Sequence, residues 1–311
     1  MRHKAAGTVT VLPDGEPRTV TTSDGVELYA EVGGAQDAPA TVVFAHGWTL
    51  SSRSWAEEAA ALGETARTVV YDQRGHGRSG WRSGYVPSID QLGADLYAVL
   101  DQLVPDGPVV LVGHSMGGMT IMALAADHPE LFGDRVTGVA LVATSAGRLG
   151  EVTLGLPSRA SHVTRRVLPR LMAAAERWGA CADLARRLLP PRRRLVQRQV
   201  QWLLFGPAAP AAAVAACAEL IHATPARTIG AFYPALLRHD KHAALEPIRK
   251  VPALILAGEL DRLTPVSHSH ALAAALPDAR LVVVPGCGHM LPMECPETVT
   301  KHLRELLPAD S

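Results

Sequence analysis

A chain of 311 residues, 48% of them apolar, is long enough to bury roughly 75% of the surface that its unfolded form exposes. Thirty basic residues balance thirty acidic ones, so no overall field draws the molecule to nucleic acid or to an anionic membrane. No stretch approaches the roughly 20 apolar residues that cross a bilayer, which excludes stable membrane insertion and leaves a soluble protein as the expectation.

The stretch from Met1 to Pro17 carries Arg2 and Lys4, then runs into Asp14, Gly15 and Glu16. It lacks the apolar core of a secretion signal, and a cytoplasmic location is expected. Arg18 to Thr22 and Val26 to Val32 flank the turn signal Ser23-Asp24-Gly25 and predict a β-hairpin. Ala40 to Ala45 is a continuous apolar run suited to a strand covered on both faces. Thr68–Tyr71, Val109–Val112, Val136–Val142, Ala253–Ala257 and Leu281–Val284 read the same way. Helical patterns fill the gaps at Trp55–Leu62, Ile89–Leu103, Met119–Ala126 and Ser267–Leu276. Buried strands alternating with helices predict an α/β protein with a mostly parallel sheet flanked by helices.

The alternation stops at Arg148 and resumes near Ala235. Between them lies a segment rich in Ala, Leu and Arg, with Val163, Val167, Leu168, Leu171 and Met172 at roughly helical spacing. Pro190-Pro191 and Gly206-Pro207 separate further helices. The expected organisation is a core split between residues 1–147 and 236–311, with residues 148–235 as a helical cap or lid. Four cysteines, at 181, 217, 287 and 295, show no metal-ligand spacing and are expected as reduced thiols.

The chemistry concentrates at strand ends. Gly113-His114-Ser115-Met116-Gly117-Gly118 follows the apolar run Val109–Val112 and precedes a helix, so Ser115 is expected on a sharp bend that exposes its hydroxyl. The amide of Met116 then opens a helix, where partial positive charge gathers. A serine hydroxyl is a weak nucleophile and needs a base held by a third group. Asp261 follows one later strand and His289 another, the latter between Gly286, Gly288 and Met290. In parallel sheets functional groups collect beyond the carboxyl ends of strands. Glu259 is the rival carboxylate, in the same turn as Asp261. A third strand end carries Phe44-Ala45-His46-Gly47-Trp48. The amides of Trp48 and Met116 are the candidate donors to a developing oxyanion; removing such a donor in a comparable serine enzyme costs about 2.7–4 kcal/mol. His46 is read as shaping its loop rather than transferring protons.

His-Gly-Trp at 46–48, Asp-Gln-Arg-Gly-His-Gly-Arg-Ser at 72–79, the serine motif at 113–118, Gly-Glu-Leu-Asp at 258–261 and Gly-Cys-Gly-His at 286–289 together resemble the α/β-hydrolase superfamily. The similarity spans about Arg18 to Ala146 and His239 to Leu307. It implies the α/β-hydrolase fold, an eight-stranded sheet with an antiparallel second strand and a helical cap after the sixth. It also implies a Ser115–His289–Asp261 triad. Asp72, Arg74 and His76 fall, by the same resemblance, in a tight structural loop. His114 is expected to point away from Ser115 and pack, and Cys287 to be a small buried residue.

A serine nucleophile argues against the dehalogenase and epoxide hydrolase branches, which use aspartate there. Cleavage of a carboxylic ester through an acyl-enzyme is the leading reading, with a small-molecule ester as partner and no cofactor or metal. His46 to Ser51 with Ser54-Trp55 also resembles the cofactor-free haloperoxidases and perhydrolases, in which peroxide attacks the same acyl-enzyme. Carbon–carbon bond hydrolases, thioesterases and proline aminopeptidases share the triad, and some members of the fold only bind ligands. Leu168, Leu171, Met172, Trp202, Leu203, Leu204, Phe205, Phe232 and Tyr233 of the insertion are the candidate acyl-pocket residues. Arg192-Arg193-Arg194 reads as a solvated helix face, with an acidic substrate or partner as the rival reading.

Overall fold

The apolar runs become one sheet. The computed structural model describes residues 11–82 and 84–308, so Arg2 and Lys4 lie outside the described residues. Within these, the strands are β1 (Glu16–Thr21), β2 (Glu27–Gly34), β3 (Thr41–Ala45), β4 (Arg67–Tyr71), β5 (Val109–His114), β6 (Val136–Val142), β7 (Ala253–Gly258) and β8 (Arg280–Val284). Their order across the sheet is β1-β2-β4-β3-β5-β6-β7-β8. The strand β2 is antiparallel to both neighbours, and the other pairings are parallel.

Helices α1 (Ala56–Leu62), α2 (Ile89–Leu103) and α3 (Met116–Asp127) alternate with the first strands. Between β6 and β7 come α4 (Ser158–Arg177), α5 (Gly179–Arg186), α6 (Arg194–Leu204), α7 (Ala211–Ala223) and α8 (Ala226–Arg238). The chain ends with α9 (Leu245–Ile248), α10 (Val266–Ala275), α11 (Leu291–Glu294) and α12 (Pro296–Arg304). No helix among the described residues is long and apolar enough to cross a membrane.

Strand periodicity decides which face each residue serves. Every residue of β3 is buried because both faces of the sheet are covered. Val43 packs with Leu96 of α2 and Ile121 of α3, whereas Val42 and Phe44 join Trp55, Leu62 of α1 and Val299 of α12 on the other face. Helix α3 starts at Met116, three residues before the expected Met119, although glycines at 117 and 118 weaken a helix. The reason is tertiary: the Ala45 backbone at Gly117 and the Thr144 side chain at Gly118 leave no room for a Cβ.

The helical stretch lies over the carboxyl ends of the central strands. Phe232 and Leu236 of α8 pack on Met116 and Met119 of α3, while Leu204, Val214 and Cys217 pack on Leu50 and Met290. Helix α4 is packed along α8, and α6 along α7. All four thiols are free, and the Cys287 sulfur lies 3.7 Å from that of Cys295.

The loop after β4 is held by charge rather than apolar packing. Arg74 is buried, donates to both oxygens of buried Asp95 at 2.6 Å and to both oxygens of Asp24 at 3.0 Å. Asp72 accepts from the amide and hydroxyl of Ser52 and from the Arg78 amide. Removing one partner of a buried ion pair strands the other charge, at a cost of about 3–5 kcal/mol. Asp95→Ala is therefore expected to lower unfolding stability by that amount, measured by urea denaturation; a loss within experimental error of zero contradicts the role given to this pair.

Candidate active site

Strand β5 delivers Ser115 at its carboxyl end and α3 begins one residue later. Ser115 sits at φ +52° and ψ −115°, a conformation that costs a non-glycine residue on the order of 1–3 kcal/mol. Surrounding bonds hold it there. Its amide donates to Val142, and its carbonyl accepts from the Thr144 hydroxyl at 2.6 Å and from the amides of Gly118 and Met119. The glycines are required by close approach: a Cβ on Gly117 would lie 2.1 Å from the Ala45 carbonyl oxygen, and one on Gly113 would lie 2.5 Å from the Gly117 backbone.

Two later strands bring the other side chains. Asp261, after β7, is buried and fully bonded: Oδ1 accepts from the amides of Leu263 and Thr264, and Oδ2 from the Thr264 hydroxyl at 2.7 Å and from His289 Nδ1 at 2.8 Å. Burial pushes this carboxyl up, but the His289 imidazole and the Thr264 donors outweigh it and hold it below the ordinary carboxylate value. Glu259 turns elsewhere and accepts from the Gly286 amide. The carboxylate behind the imidazole is thus Asp261.

His289 follows β8 in a loop tied to the helical layer. Its amide and that of Met290 both donate to the carbonyl of Leu204 at the end of α6. Glu294 accepts from Gly206 after α6 and from Gly288 before the histidine, each at 2.8 Å. His114, expected only to pack, does more: its Nε2 donates to the His289 carbonyl at 2.9 Å, and the two rings lie 4.9 Å apart. Burial lowers His114 to about 3, so it is a neutral brace.

The loop after β3 faces the elbow. Among the described residues the amides of Trp48 and Met116 make no backbone hydrogen bond, and Trp48 borders the same space as Ser115. His46 Nδ1 donates to Gly47 O at 2.7 Å, and its Nε2 accepts from the Gln73 amide at 2.9 Å. Burial lowers His46 to about 4, which keeps it neutral. The Gln73 side chain donates to the His46 carbonyl and accepts from Thr120 of α3 at 2.7 Å. It therefore bridges the loop bearing Trp48 and the helix bearing Met116.

Ser115 and His289 both line a cavity of about 390 Å³ between the sheet ends and the helical layer. The Ser115 hydroxyl makes no side-chain hydrogen bond among the described residues, so the closed link is His289 to Asp261. Such contacts commonly tighten only when substrate is bound.

A family model described as the alpha/beta hydrolase fold matches residues 40–296. The chain belongs to the alpha/beta hydrolase fold family. It is 30% identical over 292 residues to a bifunctional esterase/perhydrolase of Acinetobacter calcoaceticus, covering 91% of this chain and 97% of that one. A thermophilic esterase from Thermogutta terrifontis superposes with a TM-score of 0.72 at 25% identity, over 93% of this chain and 97% of that one. The enol-lactonase from Burkholderia xenovorans gives 0.70 at 26% identity, over 93% and 99%. The chain is thus an esterase-like alpha/beta hydrolase.

The cavity wall differs from the sequence expectation. Leu168, Leu203, Leu204 and Tyr233 line it. Leu171 and Trp202 are exposed, Trp202 beneath the Arg262 guanidinium; Met172 is half-buried, with its carbonyl against Gly230 of α8. Phe205 is buried beside Leu50 and Met290, and Phe232 against His76 and Trp81. These five do not line the cavity, because helix orientation is set by the neighbours a helix packs on. The wall also takes Leu149, Val152, Leu154, Leu237 and Leu263, several from the loop before α4 that shows no periodic pattern. His114, Gln73 and Glu294 give no sequence signal of their own; Thr264 lies three residues from Asp261, where a side-chain donor to its carboxylate is foreseeable.

Proposed function

We propose that this carboxylic ester hydrolase works through an acyl-enzyme on Ser115, with His289 as general base and Asp261 as its orienting carboxylate. The reading is supported above all by one observation: Ser115 and His289 line a single apolar cavity, with Asp261 bonded to the far nitrogen of the imidazole. With Nδ1–H given to Asp261, Nε2 keeps the lone pair that takes the serine proton. The hydroxyl oxygen then attacks the ester carbonyl, and the amides of Trp48 and Met116 receive the charge that develops on its oxygen. The imidazolium returns its proton to the leaving alcohol, and water, activated by the same nitrogen, releases the acid. Residues 148–235 act in this reading as a cap over a core of residues 1–147 and 236–311. The aliphatic wall favours a small hydrophobic acyl ester.

Attack by hydrogen peroxide on the same acyl-enzyme is the second reading, favoured by the relative described as a bifunctional esterase/perhydrolase. A panel of p-nitrophenyl esters, assayed with and without hydrogen peroxide, separates the two. The expected result is hydrolysis without peroxide, fastest for esters whose acyl chain fills the cavity. Peracid formation that outpaces acid formation assigns the enzyme to perhydrolysis, and no turnover of any ester rejects both.

A further inference from the structure

The zero net charge conceals a segregation that the fold converts into a surface. Residues 158–204, from α4 through α6, carry eleven arginines and two carboxylates, a net charge of +9 that leaves −9 on the rest of the chain. Among the described residues only Arg186 and Arg192 of the eleven enter ion pairs, with Asp183 and Glu219. The balance that argues against an anionic surface as partner therefore holds for the sum and not for this segment.

Helix α4 has two working sides. Ser161, Thr164 and Leu168 line the cavity. Val163, Val167 and Leu171, spaced i, i+4 and i+8, form an exposed row, with exposed Arg166 and Arg170 among them. The turn between α5 and α6 repeats the composition: Leu188 is 74% exposed, Leu189 50% and Leu195 61%, around exposed Arg192, Arg193 and Arg194. Single exposed leucines are ordinary, but groups of them interleaved with cations that mostly lie outside ion pairs mark an interaction surface.

We propose that the outer face of α4 through α6 docks the protein on an anionic lipid surface. Guanidinium groups meet the phosphates of the headgroups while the aliphatic side chains enter the acyl boundary. Nucleic acid would use the charge and leave the leucines in water, so lipid accounts for both halves of the composition. The contact is peripheral and spans nothing. Its α4 part lies on the side of that helix away from Ser161, Thr164 and Leu168, which line the cavity. The docking is independent of the ester chemistry proposed above, and the two readings fail separately.

The test is co-sedimentation of the full chain with phosphatidylcholine vesicles, with and without phosphatidylglycerol. The expected result is pelleting only with phosphatidylglycerol, released as salt shortens the Debye length from about 10 Å to about 3 Å. The triple variant Arg192→Glu/Arg193→Glu/Arg194→Glu and the double variant Leu188→Ser/Leu189→Ser should each weaken binding about tenfold or more. Circular dichroism melting establishes that both are folded, since none of these side chains is buried. No pelleting of the wild type at low salt, or equal pelleting of both folded variants, overturns the proposal. Concentration-dependent dimerisation without vesicle binding, abolished by the same variants, assigns the face to a second copy and overturns it as well.

Discussion

Ser115→Ala is expected to remove ester hydrolysis almost completely, with kcat falling about 10⁴- to 10⁶-fold, the range seen when the nucleophile of a serine hydrolase is deleted. The fold should be unaffected. Alanine accepts the same backbone strain, and the bonds that hold position 115 come from Val142, Thr144, Gly118 and Met119 through its backbone. The thermal midpoint should therefore stay within a few degrees of wild type while turnover disappears. A fluorophosphonate probe adds a direct readout: it should label the wild type once, at Ser115, and leave the variant unlabelled. Turnover at a wild-type rate in the alanine variant, or labelling elsewhere, refutes the assignment.

Asp261→Asn should be nearly as damaging, with kcat lower by about 10⁴-fold. The aspartate accepts from His289 Nδ1, whereas an asparagine amide can present its NH₂ there and favour the tautomer whose Nε2 carries a proton. That imidazole cannot take the serine proton. Glu259→Gln is the matched control, because Glu259 bonds the Gly286 amide and not the histidine. It should keep kcat within about threefold of wild type, since a side chain remote from the reacting groups changes little. The reverse ranking would move the orienting role to Glu259. The ionised carboxylate that this role needs is in place, because the His289 imidazole and the Thr264 donors hold Asp261 below the ordinary carboxylate value.

Much of the architecture is legible along the chain because its signals are local. Five-residue apolar runs such as Thr-Val-Val-Phe-Ala at 41–45 announce strands covered on both faces, and they form the centre of the sheet. The elbow is equally local, since the glycines around Ser115 answer close contacts with Ala45 and with the elbow's own backbone. The start of α3 is less legible: propensity disfavours glycine at 117 and 118, and packing overrides it. The cavity wall is least legible. Leu168 and Leu171 are alike in type and three residues apart, yet one lines the cavity and the other meets solvent.

From the residues alone, the chain determines its strands, the strained turn at 115 and the sequential order of the chemical groups, because each depends on a few adjacent residues. Tertiary structure decides which carboxylate backs the imidazole, which apolar side chains face the cavity, and that His114 and Glu294 anchor the loop of His289. Those outcomes depend on how sheet register and helix packing superpose segments up to 175 residues apart, as between His114 and His289, and no local pattern encodes that alignment.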